Sequence, residues 1–108
     1  EATAELLAKT KRPSALVGGN DVLACGALHA ASRLGISVPN QLSVTGIGDF
    51  AGSRDFEPPL TTVRIPARQN GRKGGHAIAQ AIVSPDIPSA SERIAPDLLV
   101  RQTSSTPR

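Results

Sequence analysis

The sequence has no tryptophan, tyrosine or methionine, and its only aromatic side chains are Phe50 and Phe56. A core without large anchors must be built from Ala, Val, Leu and Ile, which suits buried parallel strands and close packing of helices on a sheet. The same shortage argues against single-stranded nucleic-acid binding, which relies on base stacking. One cysteine, Cys25, excludes an internal disulfide and fits a reducing compartment. No apolar run approaches the length of a membrane span, and no signal-peptide pattern is present. Charge of either sign is sparse and spread out. The net charge is +3, and the only basic clusters are Lys9, Lys11 and Arg12 and the pair Arg72-Lys73, so a solvated surface is the default over a DNA-reading face.

What is present is an alternation of short apolar runs and helical patterns within 108 residues, enough for one small domain or for a piece of a larger one. The chain opens on a helical pattern over 1–9, without an initiator methionine, and is expected to be the middle of a longer polypeptide. Residues 14–17 read as a strand. After Gly18-Gly19-Asn20-Asp21, residues 22–34 read as a helix, with Leu23, Ala27, Ala30, Ala31 and Leu34 on one face and Gly35 supplying a left-handed stop. Asn20 is a good N-cap, and Asp21 and Arg33 complement the helix dipole at its two ends. Residues 42–47 form a second strand that ends at Gly48-Asp49; Gly46 signals close backbone approach and Gly48 an unusual turn. The run 60–65 is rich in β-branched residues and reads as a third extended segment, followed by a long helix over 67–83 that Gly71, Gly74 and Gly75 weaken. Beyond a Pro/Ser loop over 86–91, Arg93-Ile94 and Leu98-Leu99-Val100 read as short strands, and the tail from Gln102 is expected to fray.

Strand, helix, strand makes a βαβ unit with a right-handed crossover, which places Gly18 to Asp21 and Gly48-Asp49 at the carboxyl ends of neighbouring parallel strands. Open α/β sheets bind small molecules there. Asn20 and Asp21 serve as well for helix capping as for contact with a ligand, and Gly48-Asp49 as well for a structural turn; together they make a hydrogen-bonding mouth suited to hydroxyl groups. The other constellations are weaker. Gly18-Gly19-Asn20-Asp21 lacks the third glycine of a dinucleotide fingerprint, and Asn70-Gly71-Arg72-Lys73-Gly74-Gly75 lacks the spacing of a phosphate loop. His29 and His76 have no partner at metal spacing, so no metal site and no cofactor are expected. Cys25 has no base beside it and reads as a packed thiol. Asp55 and Glu57 have no context for hydrolysis. There is no catalytic set, and no enzyme is expected.

The residues resemble the LacI/GalR family of bacterial transcription regulators. The matching motifs are Arg12-Pro13-Ser14-Ala15-Leu16-Val17-Gly18-Gly19-Asn20-Asp21, Gly26-Ala27-Leu28, Leu34-Gly35-Ile36-Ser37-Val38-Pro39 and Leu42-Ser43-Val44-Thr45-Gly46-Ile47-Gly48-Asp49. They continue through Pro58-Pro59-Leu60-Thr61-Thr62-Val63-Arg64 to Leu98-Leu99-Val100-Arg101. Each is weak alone, but the ordered set, spanning nearly the whole chain, is specific. The resemblance implies an α/β fold: a parallel-sheet, Rossmann-like lobe of a periplasmic-binding-protein-like effector domain, incomplete here. Residues 1–66 would belong to the C-terminal lobe, 67–95 to a crossover helix and strand of the N-terminal lobe, and 96–108 to the return and tail.

The same resemblance implies a cytoplasmic, ligand-responsive repressor acting as a homodimer or higher. Its operator-binding headpiece would lie upstream, leaving no DNA-binding residue in this chain. Asn20, Asp21, Gly48 and Asp49 fall on effector-binding positions, while Cys25 and Phe56 fall in the dimer surface. The family's Gly-aromatic-Asp-Asp motif is here Gly46-Ile47-Gly48-Asp49, so Gly48 replaces a common carboxylate ligand. That form, with Val63-Arg64-Ile65-Pro66, is nearest to gluconate-type regulators, and it shifts the expected effector from a neutral sugar towards a sugar acid. A transport-type sugar-binding protein of the same fold is the alternative reading.

Overall fold

In the computed structural model, which describes residues 1–88 and 90–106, the chain divides into two compact units: Glu1–Arg64 with the segment from Asp97, and Ile65–Pro96. Ser89 of the expected loop over 86–91, and Pro107 and Arg108 of the expected tail, lie outside the described residues.

The first unit begins with α1 (Ala2–Leu7), β1 (Ala15–Val17), α2 (Asp21–Arg33) and β2 (Ser43–Gly48). After a short 3-10 turn at Ser53–Asp55 come β3 (Thr61–Arg64) and, in the last part of the chain, β4 (Asp97–Leu99). The sheet order is β1-β2-β3-β4. β1, β2 and β3 run parallel, while β4 is antiparallel to β3. The mixed α/β sheet is therefore dominated by parallel pairs. α2 provides the expected crossover between β1 and β2, whereas β2 and β3 are joined by a loop with a single 3-10 turn in place of a helix.

Local chemistry sets the ends of α2. The Asn20 side chain accepts from Leu23 N at 2.9 Å, satisfying one of the free N–H groups of the first turn. At the other end Gly35 takes φ +67°, which lets Ile36 N donate to Ala31 O at 2.9 Å and Gly35 N to Ser32 O at 3.1 Å. This is a Schellman stop, and the buried Ile36 closes it with an apolar contact.

The face of α2 that meets the core differs from the expected one. Ala24, Ala27, Leu28 and Ala31 are buried, whereas Leu23 and Leu34 are exposed. The reason is the depth of the contact. At the end of β1, a Cβ on Gly18 would stand 2.7 Å from Ala24 N, so sheet and helix approach too closely there for a large side chain between them. Alanines fit that gap. Leucines at the edges of the stripe do not enter it. Leu42, Val44 and Leu60 complete the core from the sheet side, with Leu7 of α1 and Ile36, and the half-buried Leu16, Val38 and Phe56 lean on it.

Two further expectations are corrected. Arg93-Ile94 forms no strand; the returning strand is Asp97–Leu99, beginning just after Pro96, whose ring offers no backbone donor. The segment after Gln102 is not frayed where it is described. Thr103 is fully buried, its hydroxyl accepts from Thr61 N at 2.8 Å, and its carbonyl accepts from Val44 N at 2.7 Å. It supplies partners to two strands whose amino ends would otherwise leave buried N–H groups unpaired.

The second unit contains α3 (Ala67–Val83) and the segment after it. None of the residues of α3 is buried, and Ile78, Ile82 and Val83 all stand exposed. Lys73 pairs with Glu92 across this unit. No helix among the described residues is long and apolar enough to cross a membrane.

The close approach of β2 to α2 gives a stability prediction. A methyl group at position 46 would collide with the Asp21 carboxylate and lie 3.0 Å from Leu60 Cδ2. Gly46→Ala should therefore lower the unfolding free energy by about 1–3 kcal/mol in urea titrations. Gly26 lies in the same helix-sheet unit but has open space around its Cα. Gly26→Ala should raise stability by up to ~1 kcal/mol through helix propensity alone. Equal midpoints for the two variants would contradict the packing.

Candidate functional site

Because β1, β2 and β3 are parallel, their carboxyl ends share one edge of the sheet. That edge carries Gly18 to Asn20 after β1, Gly48-Asp49 at the end of β2 and Arg64 at the end of β3. Antiparallel β4 brings its first residue, Asp97, opposite Arg64. The two polar breaks singled out in the sequence do come together, with Arg64 as a third member.

Asp21 sits in the first turn of α2 but turns its carboxylate into the protein, where it is 1% exposed. Oδ1 accepts from the Thr62 hydroxyl of β3 at 2.5 Å. Oδ2 accepts from Phe50 N at 2.9 Å and from the Ser53 hydroxyl. Gly46 makes this possible, since any side chain there would occupy the carboxylate's place. Expected as an effector contact, Asp21 is instead taken up by donors of its own chain, and its oxygens face inward. What it binds is the helix to the third strand and to the loop after the second.

Asn20 remains half-buried at the edge. Its Oδ1 is used in the cap, and among the described residues its amide NH2 has no recorded partner. Capping and an outward donor are therefore compatible in one side chain, because an amide carries both functions on separate atoms.

Gly48 has φ +129° and Asp49 has φ +51°. At Gly48 the backbone lies in a region that favours glycine. The place a side chain would take is already filled by the Phe50 ring, whose Cδ1 would be 2.7 Å from a Cβ. Asp49 holds two arginines. Its Oδ1 accepts from Arg101 Nη2 at 2.6 Å, and its Oδ2 accepts from Arg64 Nε at 2.9 Å. The Arg101 guanidinium, followed by Arg64, holds the Asp49 carboxyl below its ordinary value of 3.8, against the opposing effect of burial. Arg101 also donates to Leu60 O at 3.0 Å and is mostly covered, whereas the Arg64 side chain is 44% exposed.

Cys25 is half-buried on α2, and Phe56 is half-buried against the core. His29 and His76 are exposed, and no group of metal-ligating side chains occurs among the described residues. Sequence reasoning missed Ser53, Thr62, Arg64 and Arg101 as partners of Asp21 and Asp49. Thr62, Arg64 and Arg101 were visible within motifs, but nothing in their spacing indicated that they converge on Asp21 and Asp49.

Known proteins share this architecture. The profile of the periplasmic binding protein-like domain matches residues 1–104. The HTH-type transcriptional repressor PurR of Erwinia tasmaniensis is 33% identical over 99 residues, which cover 92% of this chain and 29% of that protein. The chain thus spans less than a third of the length of such curated relatives. Among solved structures, a LacI family transcriptional regulator from Bifidobacterium animalis subsp. lactis superposes with a TM-score of 0.88 at 29% identity, over 96% of this chain and 38% of that one. The transcriptional regulator CelR in complex with cellobiose does so with a TM-score of 0.88 at 25% identity, over 95% of this chain and 32% of that one.

Two outcomes are expected at this edge. Asp21→Ala should leave the Thr62 and Ser53 hydroxyls and Phe50 N–H without their partner and cost roughly 3 kcal/mol in equilibrium unfolding. A loss below that of Ser53→Ala would show that the carboxylate is not the common acceptor. For Asp49, the folded-state pKa lies below the unfolded one, so its stabilising contribution is present above the unfolded pKa. It is lost as the pH falls through the folded pKa, because the unfolded chain takes up the proton first. Asp49→Asn should therefore flatten the acid side of the stability–pH curve, measured as the urea midpoint at successive pH values, and leave its slope at neutral pH unchanged.

Proposed function

This chain belongs to the periplasmic binding protein-like domains of the LacI/GalR family of transcriptional regulators, and from that membership we propose that it forms part of the effector cleft of a ligand-responsive repressor. The observation that carries the reading is the Asn20 amide, presented at the carboxyl edge of the parallel strands with its NH2 unclaimed by the chain's recorded hydrogen bonds. The proposed effector is a sugar or sugar acid. Gly48, standing where the family commonly has an aspartate, favours the acid, since a carboxylate there would repel an anion in a poorly hydrated site.

In this proposal residues 1–66 and 96–108 belong to the C-terminal lobe and 67–95 to the N-terminal lobe. The division of the chain at Ile65 and Pro96 supports it. The whole regulator would be a cytoplasmic homodimer or higher assembly, with Cys25 and Phe56 in its dimer surface and an operator-binding segment outside this chain. Effector binding would favour one arrangement of lobes, and that arrangement would change the affinity for DNA. A sugar-binding protein of a transport system remains the second reading of the fold; relatives described as transcriptional repressors favour the first.

The test is operator binding by the full-length regulator, followed by fluorescence anisotropy with D-gluconate or a neutral hexose. Asn20→Ala should raise the effector concentration needed for half response about tenfold, the equivalent of ~1.4 kcal/mol for one lost hydrogen bond. An unchanged response curve would remove Asn20 from the site. A protein without operator affinity under any condition would favour the transport reading.

A further inference from the structure

Among the described residues around Asp21 and Asp49, two charged side chains keep polar atoms without a partner, Arg64 and Asp97. Asp21 gives both oxygens to donors inside the protein. Asp49 gives one oxygen to each of two arginines. Arg101 spends one terminal nitrogen on Asp49 and the other on Leu60 O. Arg64 uses only Nε, so among the described residues its two terminal nitrogens have no recorded acceptor, and its side chain is 44% exposed. Asp97 lies opposite Arg64 across β3 and β4 and is exposed, but makes no ion pair with it.

The position of Phe50 adds a second, independent observation. Gly48 and Arg64 are paired in parallel register, so their Cα–Cβ directions leave the same face of the sheet. The Phe50 ring fills the Gly48 Cβ position while remaining 45% exposed. The Phe50 ring thus takes the place where a carboxylate at position 48 would project, on the sheet face from which Arg64 also leaves. A guanidinium fixed at Nε and open at its terminal nitrogens matches a carboxylate.

We propose that Arg64 and Phe50 set the charge preference of the effector site: Arg64 takes the carboxylate of an anionic polyhydroxy acid, and Phe50 excludes a competing acidic side chain at position 48. The assignment rests on the sugar-acid reading above and names the groups that would carry it. Arg64 remains tied to Asp49 while it binds, and Asp49 stays fixed by Arg101, so the guanidinium is held in place before the ligand arrives. Phe50 is itself held through its backbone by Asp21.

The experiment is isothermal titration calorimetry on the full-length regulator with D-gluconate and with D-glucose. Wild-type protein should prefer gluconate. Arg64→Gln should weaken gluconate at least tenfold and leave glucose within about twofold, and Arg64→Lys should recover part of the loss. Asp97→Asn, which removes the carboxylate facing Arg64 without touching its recorded contacts, should tighten gluconate several-fold and remains informative if Arg64→Gln fails to fold. Phe50→Ala combined with Gly48→Asp should shift the preference towards glucose. If gluconate is preferred but Arg64→Gln affects both ligands equally, or Asp97→Asn weakens gluconate, the assignment of Arg64 is overturned while the sugar-acid reading stands. A wild-type preference for glucose overturns the sugar-acid reading itself.

Discussion

The Asp21 carboxylate is the point on which the rest of this lobe depends. A buried carboxylate is costly to remove from water, and it persists only where donors replace the lost hydration. Here those donors come from three separate places in the chain: a hydroxyl on β3, a hydroxyl in the 3-10 turn and a backbone N–H at Phe50. The loop joining β2 to β3 contains no α-helix, so these polar bonds, together with the packing of Phe56 on the core, set its path. Gly46 is the steric condition for all of it, because the carboxylate occupies the space a side chain there would need.

From that constraint follows the arrangement of the sheet edge. With Phe50 N–H drawn to Asp21, the ring of Phe50 comes down over Gly48, and the backbone at Gly48 and Asp49 turns through positive φ. Asp49 then meets Arg64 and Arg101, linking the ends of β2 and β3 to the segment after β4. Each acidic group inside this arrangement is matched by donors of the chain itself. What the edge leaves exposed in part or whole is an amide at Asn20, the Phe50 ring, part of a guanidinium at Arg64 and the Asp97 carboxylate opposite it. The charge that the candidate site offers a ligand is thus decided by which groups the fold has already used.

Much of the fold was legible in the residues. Asn20 and Gly35 mark the two ends of α2 because capping and left-handed turning are local demands that few residue types meet. The βαβ unit followed from the order of apolar runs, and the two polar breaks at one edge followed from the crossover. The face of α2 was misjudged because apolar periodicity counts Leu23 and Leu34 as core, whereas the buried stripe is Ala24, Ala27, Leu28 and Ala31, with the alanine at position 24 meeting the close approach at Gly18. The tail was misjudged for a related reason. Ser, Thr and Pro suggest disorder by composition, yet Thr103 is held by the unpaired amino ends of two strands, whose need for partners cannot be seen in the tail itself.

The candidate site was legible by address more than by role. Residue order alone was enough for the alternation of strands and helix, the capping of α2, the family to which the motifs belong and the absence of a carboxylate at position 48. Those properties are carried by single residues or by short spacings. Only the folded chain settles that the Asp21 carboxylate is buried while Asn20 stays half-buried at the edge, that the Phe50 ring fills the place beside Gly48, and that Arg64 and Arg101 divide Asp49 between them. Hydrogen bonding is the reason: a carboxylate adjacent to a helix start can serve the interior or the ligand, and the choice is made by donors tens of residues away that only the folded sheet brings within reach.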